Sequence, residues 1–201
     1  NGCTLHLLDC KTEYNIPSLV LVTIDDATGS VDVQAAAGFN IESNIKKMLR
    51  DGSHSIKAEL VKKTTLEYSK IKTMHERSVL WSSGQMRDEI NFFIAGRLIS
   101  VSQYKNQFSF PSSETEEIAF IKKTLEKQKS KAYQYEFKHP LANENGLHVV
   151  RAIVPDLIPM YFDESKKHDN VERLFTFSKK MGFSDQVVTK NDLNKIPHPF
   201  I

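Results

Sequence analysis

Apolar positions first gather along the chain in Thr4-Leu5-His6-Leu7-Leu8, and then in an unbroken run, Leu19-Val20-Leu21-Val22-Thr23-Ile24. The first stretch predicts a strand. The second, apolar at consecutive rather than alternate positions, predicts a central strand. Pro17 stands just ahead of it, where the N–H that proline lacks is not missed. Asp25-Asp26-Ala27-Thr28-Gly29 supplies turn residues, and Val31-Asp32-Val33-Gln34-Ala35 alternates as a returning strand, so the pair predicts a hairpin. From Ile41 the period lengthens. Ile41, Ile45, Met48, Leu49, Gly52, Ile56 and Leu60 fall at helical spacing, with Asn40 or Ser43 as N-cap. This predicts a long amphipathic helix with one face on a sheet and its lysines in solvent.

Residues 61–83 are polar and weakly periodic, with Trp81 as the one large anchor, which predicts a partly mobile connector. Met86 to Ile99 predicts a second helix with Ile90, Phe93, Ile94 and Leu98 on its stripe. Thr115 to Lys129 predicts a third, carrying Ile118, Ile121 and Leu125, with Pro111-Ser112-Ser113 as loop and cap. Ala132 to Phe137 alternates as a strand, and Leu147 to Val154 is a further apolar strand stopped by Pro155. His139-Pro140 and Asn143-Glu144-Asn145-Gly146 connect the two. The order predicts an α+β fold, a mixed sheet covered by helices, as a single domain over residues 1–201.

Composition narrows the class. The chain has 201 residues and 22.9 kDa, 40% hydrophobic and 26% charged, which excludes a disordered tail, a collagen and a membrane span. Surface scaling gives roughly 9,600 Å² exposed when folded against roughly 33,000 Å² unfolded, enough burial for a full core. Twenty-seven basic and twenty-five acidic residues leave a formal +2, too balanced for non-specific nucleic-acid binding. Cys3 and Cys10 sit in a segment that reads as extended, which holds their Cα atoms roughly 23 Å apart. A disulfide spans about 4.4–6.8 Å, so free thiols in a reducing cytoplasm are expected. No run approaches the roughly 18 apolar residues of a membrane helix, and no signal peptide is visible, so no membrane partner is expected. The chain lacks an initiator Met and opens at Asn1-Gly2 just before an apolar run, which predicts a fragment or processed product.

Motif chemistry is sparse. There is no P-loop, GxGxxG, GxSxG, HExxH or CxxC, and the histidines His6, His54, His75, His139, His148, His168 and His198 lack the paired spacing of a metal site. No metal centre of the chain's own is expected. Nothing local marks Cys3 or Cys10 as an activated nucleophile. The adjacent carboxylates Asp25-Asp26 and Asp88-Glu89 do not face one another and read as turn and surface groups.

Three segments in order resemble one family. The first is Leu7-Leu8-Asp9-Cys10-Lys11-Thr12-Glu13-Tyr14-Asn15-Ile16-Pro17-Ser18-Leu19-Val20, followed by Ala35-Ala36-Ala37-Gly38-Phe39 and a helix. The second is Asn145-Gly146-Leu147-His148-Val149-Val150-Arg151-Ala152-Ile153-Val154-Pro155-Asp156-Leu157-Ile158-Pro159-Met160. The third is the ending Pro197-His198-Pro199-Phe200-Ile201. Together they resemble the YcaO-like proteins, including the cyclodehydratases that mature thiazole- and oxazole-containing bacterial peptides of the streptolysin S and microcin kind. The segments look like that family's strand, "D-x-T" turn, "G/N-I-P" and next strand, its "G-L-x-V-V-R-V-x-V-P-G-L-x-P-M" stretch, and its PHPFP ending.

The resemblance implies ATP-dependent conversion of a backbone amide to an azoline after attack by a Cys, Ser or Thr side chain. Mg²⁺ then bridges ATP phosphates to carboxylates. It implies that the Pro-rich tail, with Pro197, Pro199 and Ile201, orders the active site, since prolines lose little entropy on docking. On the helix after Gly38, where the family carries Glu-x-x-Gln, this chain has Asp51 and His54, one flank of the ATP and Mg²⁺ site by resemblance. At i, i+3 the two are helical neighbours. Ile201 replaces the family's final Pro, and Asp156 stands where Gly is common. The family's Glu-x-x-Glu-Arg helix precedes the "D-x-T" strand, so the resemblance implies the C-terminal half of the fold, inactive alone and holding no cofactor by itself. Its implied partners are the N-terminal half of the parent protein, a ribosomal precursor peptide, a leader-binding protein and a second copy of the chain. Two alternatives remain: a non-catalytic YcaO-like docking or scaffold module, and a complete cytosolic α+β binding domain unrelated to the family.

Overall fold

Three antiparallel strands, β1 (Cys3–Asp9), β2 (Ser18–Asp25) and β3 (Val31–Ala37), form the central sheet in the order β1-β2-β3. The computed structural model describes residues 2–52 and 65–200. The register pairs Leu8 with Val20 and Val22 with Val33. β2 is central, and every residue from Leu19 to Ile24 is buried. The apolar run is unbroken because both faces are covered. Leu19 and Leu21 pack with Ile41 and Met48 of α1 (Ile41–Gly52), and with Tyr104 and Phe108. Val20, Val22 and Ile24 point the other way and join Val31, Val33, Leu80, Trp81, Met86 and Ile90. Each fully buried aliphatic side chain contributes about 1.5–3 kcal/mol, so this strand is a principal source of stability.

The β2–β3 hairpin turns on Asp25, whose Oδ1 accepts from the Thr28 amide at 2.7 Å and the Thr28 hydroxyl at 2.9 Å. Asn40 caps α1, its Oδ1 accepting from the Ser43 amide at 2.9 Å, which decides between the two expected caps. The expected continuation through Ile56 and Leu60 lies outside the described residues.

Two sequence expectations need correction. Within the supposed connector lies α2 (Met74–Ser82), begun by a capping box in which the Glu76 amide donates to Thr73 Oγ1 and the Thr73 amide to Glu76 Oε2. Its buried face is Arg77, Leu80 and Trp81; a charged residue at the first of these positions hides the apolar stripe from a hydropathy reading. The single helix expected over Met86 to Ile99 is instead a series of turns, then α3 (Asn91–Ile94), then an irregular stretch before α4 (Val101–Lys105). Ile90 is buried as expected, but Leu98 is 96% exposed, because the chain leaves the helix at Ala95-Gly96 and restarts at a Ser100/Gln103 capping box.

α5 (Glu114–Lys127) forms where expected, capped by Ser113, with Glu114, Glu116 and Glu117 in its first turn. It packs through Phe120, edge-on to Phe39 at 5.1 Å, while Ile118 and Ile121 of the expected stripe are exposed. β4 (Tyr133–Phe137) and β5 (Val149–Ile153) pair antiparallel as a separate ribbon, with α6 (Pro140–Glu144) in the connection. α7 (Glu172–Lys180) follows. The α+β class is therefore the one observed, with its strands divided between two antiparallel sheets. Every ribbon residue is exposed. The chain exposes 14093 Å², well above the roughly 9,600 Å² of a compact protein this size.

Candidate functional site

The C-terminal tail lies on the β-sheet face that also carries α2. Ile196 and Phe200 pack at the border of that core, and Pro197 is fully buried. Trp81 Nε1 donates to the Pro197 carbonyl at 3.0 Å. One turn earlier on the same helix, Arg77 is completely buried and donates from NH1 to Glu164 Oε1 at 2.8 Å, with His198 Nε2 also 2.8 Å from NH1 and the Tyr161 carbonyl at 3.4 Å. The His198 ring stands edge-on to Tyr161 with centroids 4.6 Å apart, and its Nε2 is 2.9 Å from the Tyr161 carbonyl. Lys167 Nζ pairs with Glu164 Oε2 at 2.9 Å, and the Glu164 amide donates to the Lys72 carbonyl. Residues 161–167, α2 and the tail are thus tied at one buried polar knot. Burial pushes the His198 pKa below its ordinary value; the Tyr161 carbonyl opposes this and the Arg77 charge adds to it. Burial raises the Tyr161 phenol, with Glu164 acting in the same direction.

A cleft of about 990 Å³ opens beside the tail. Met160, Leu174, Leu193 and Phe200 give it apolar walls, and Lys190 and Lys195 lie at its border. The "D-x-T" loop between β1 and β2 is fixed from the opposite side of the sequence. The Glu13 side chain is buried and its carboxylate receives Arg173 Nε at 2.9 Å and NH2 at 2.8 Å, a bidentate pair. Gln128 Nε2 donates to the Glu13 carbonyl, and Asn15 turns the loop at φ 52°. Burial pushes the Glu13 carboxyl up, but the Arg173 hydrogen bonds, a backbone hydrogen bond and the charges of Arg173 and Lys180 outweigh it and hold it below its usual range.

Of the residues expected at a site, Pro197 is the best anchored, and Pro199 follows it half-buried. Ile201 and His54 lie outside the described residues. Asp51 is solvent-facing in the last turn of α1, with Lys47 Nζ at 3.3 Å and Arg50 Nε at 3.4 Å. The Lys47 contact leads in holding its carboxyl below the usual range. α1 covers the Leu19/Leu21 face of the sheet and the tail the Val20/Val22 face, so the sheet lies between Asp51's helix and the tail. Among the described residues no group of three His, Cys, Asp or Glu can hold a metal ion, and no helix is long and apolar enough to cross a membrane. Cys3 and Cys10 are free, and burial followed by the Asp9 charge pushes the Cys10 thiol up, away from nucleophilic reactivity.

The sequence reading missed Arg77, Tyr161 and Glu164, and treated His198 only as part of a motif. The Thr73-Met74-His75-Glu76 capping box was the available signal for the helix that carries Arg77.

Comparison with known proteins identifies the family and the fold. The model of the YcaO cyclodehydratase family, described as ATP- and Mg²⁺-binding, matches residues 1–158. A solved heterocyclase in complex with substrate and cofactor superposes with a TM-score of 0.68 at 16% identity, covering 100% of this chain and 25% of that one. The heterocyclase TruD superposes with a TM-score of 0.64 at 19% identity, covering 98% of this chain and 25% of that one. At these identities the likeness establishes the fold. The chain spans about a quarter of the length of either structure. No curated protein sequence matches.

Proposed function

Because the chain belongs to the YcaO family, we propose that it is part of an ATP-dependent cyclodehydratase that forms azolines from Cys, Ser or Thr residues of a ribosomal precursor peptide. The observation that carries this reading is the docked tail. A Pro-x-Pro ending is held on α2 by Trp81 and Arg77 beside a cleft of about 990 Å³, large enough for a peptide segment. In the reaction the Cys, Ser or Thr side chain adds to the preceding carbonyl carbon and loses its proton, and the amide nitrogen gives up its own proton as the C=N bond forms with departure of the oxygen. The former carbonyl oxygen takes the γ-phosphoryl group of ATP and leaves as phosphate, giving one azoline, ADP and phosphate per ring. ATP supplies the group that turns a poor oxygen leaving group into a good one, and Mg²⁺ offsets its phosphate charge.

This chain's residues have separate parts in that chemistry. Pro197 and Pro199 stiffen the tail, so that ordering it at the reacting amide loses little entropy. Asp51, with His54 three residues on, is the flank toward ATP and Mg²⁺ that the resemblance proposes, on the helix across the sheet from the tail, and a carboxylate there suits a hard cation. The aromatic face of the β4–β5 ribbon is the proposed seat of the remaining heterocyclase structure, and the leader-binding protein and precursor peptide complete the proposed assembly. The chain alone is not expected to turn over.

The test is made with the full-length native polypeptide, a candidate precursor peptide, ATP and Mg²⁺. Loss of one water mass per ring, matched by ADP release, is the expected result. If isothermal titration shows no ATP binding and no peptide loses water, the enzymatic reading falls.

A further inference from the structure

We propose that Arg77 is the positioning residue of the C-terminal tail: by donating from NH1 to both Glu164 and His198, it fixes the tail against the segment 161–167 and so sets where Pro199 and Phe200 lie. The inference deepens the proposed function and rests on it only where turnover is concerned.

The geometry of one nitrogen carries the inference. NH1 of a guanidinium has two protons, and two acceptors lie at full hydrogen-bond distance, Glu164 Oε1 and His198 Nε2, both at 2.8 Å. For NH1 to donate to His198, Nε2 offers its lone pair and the ring's single proton sits on Nδ1, a buried atom with no hydrogen-bond partner, while the Tyr161 carbonyl, 2.9 Å from the same Nε2, receives no proton from the ring. Orienting the ring this way leaves a buried donor unsatisfied, and the Arg77 contact is what offsets it. A lysine cannot reproduce the arrangement, because its ammonium is a point donor on a flexible stem rather than a planar fork. Arg77 is also fully buried, with Nε and NH2 making no hydrogen bond, so its side chain is committed to this direction alone. The second hold, Trp81 on the Pro197 carbonyl, fixes the tail's depth but not the rotation of the residues beyond Pro197. His198 comes next in sequence, and Arg77 supplies that rotation. The charged and titratable groups that meet His198 are Arg77 from α2 and Tyr161, Glu164 and Lys167 from the opposite segment.

The experiment uses the full-length native polypeptide carrying Arg77→Lys, His198→Phe or His198→Gln. His198→Phe keeps a ring against Tyr161 but removes the acceptor, whereas His198→Gln retains an acceptor. Amide hydrogen exchange is followed at residues 196, 198 and 200, with the β2 amides as internal reference. Exchange in the tail is expected to rise about tenfold or more in Arg77→Lys and His198→Phe, and to change far less in His198→Gln, while β2 stays protected. Tail exchange unchanged in both Arg77→Lys and His198→Phe overturns the inference. If Arg77→Lys also loses β2 protection, His198→Phe, a change within the tail itself, decides in the same way. Where the wild-type protein forms rings, Arg77→Lys is expected to lower kcat about ten- to a hundredfold with the KM for ATP little changed. A released tail with unchanged kcat overturns the role in turnover, and a wild type that forms no rings overturns the proposed function; in both cases the exchange readout still decides whether Arg77 holds the tail.

Discussion

Arg77 and Trp81 stand one turn apart on the buried face of α2, and each holds a different residue of the C-terminus, His198 by a guanidinium nitrogen at 2.8 Å and Pro197 by an indole N–H at 3.0 Å. An apolar tail is thereby also held by polar contacts made inside an otherwise hydrophobic face, where each hydrogen bond is strong and its loss is costly.

Trp81 is the only tryptophan and is 2% exposed, so its fluorescence reports on the tail directly. Removing residues 197–201 is expected to shift its emission to the red and to increase iodide quenching. Trp81→Phe, which leaves the Pro197 carbonyl without its donor, is expected to cost about 1–3 kcal/mol in denaturant unfolding. An unshifted emission after truncation would place the tail elsewhere.

Seating of the tail is expected to weaken in acid. His198 has a folded-state pKa below its unfolded value of about 6.5. The neutral ring is therefore favoured by folding, and its contribution is complete above about pH 6.5 and is lost as pH falls through the depressed folded value. Protonation also places a second cation against Arg77 NH1. Tail exchange measured from pH 7.5 to pH 5 is expected to accelerate beyond its intrinsic pH dependence in the wild type, and not in His198→Gln.

Met48 and Leu49 are sequence neighbours in α1 with opposite environments, fully buried and 44% exposed. Met48→Ala is expected to destabilise by about 2–5 kcal/mol through the cavity it leaves under Leu19 and Leu21. Leu49→Ala is expected to stay within about 0.5 kcal/mol. Thermal melts of both variants check the orientation of the helix.

The ribbon presents Tyr133, Tyr135 and Phe137 on one face, with Val149 and Ile153 opposite them in register. An exposed apolar face of this kind binds something or self-associates. In the isolated chain, Tyr135→Glu is expected to reduce dye binding and association in sedimentation, with a stability change of about 0.5 kcal/mol or less. A large loss of stability would show that Tyr135 is internal.

Much of the central sheet was legible because its signals are local. Six consecutive buried positions in β2, a turn built on Asp25 and an Asn40 cap can each be read from neighbouring residues. α2 was not legible by hydropathy, because the position that opens its buried face is a charged Arg77 whose partners, Glu164 and His198, are 87 and 121 residues away. The break at Gly96 and the exposed stripe of α5 failed for a related reason. Periodicity reports which face is apolar, not whether anything covers it. At the candidate site, the ending Pro197-His198-Pro199 was visible as a motif, but the helix that receives it was visible only through its capping box.

Gly84, just beyond α2, has φ 82°, and a Cβ there would come within 2.4 Å of the Thr28 carbonyl oxygen in the β2–β3 turn. The hairpin tip is thus wedged against the end of the helix at van der Waals range, and only glycine fits the gap. This contact is an axial stop. It blocks α2 from sliding toward the hairpin, so the two grips that Arg77 and Trp81 place on the tail are measured from a fixed end, like marks on a ruler butted against a wall.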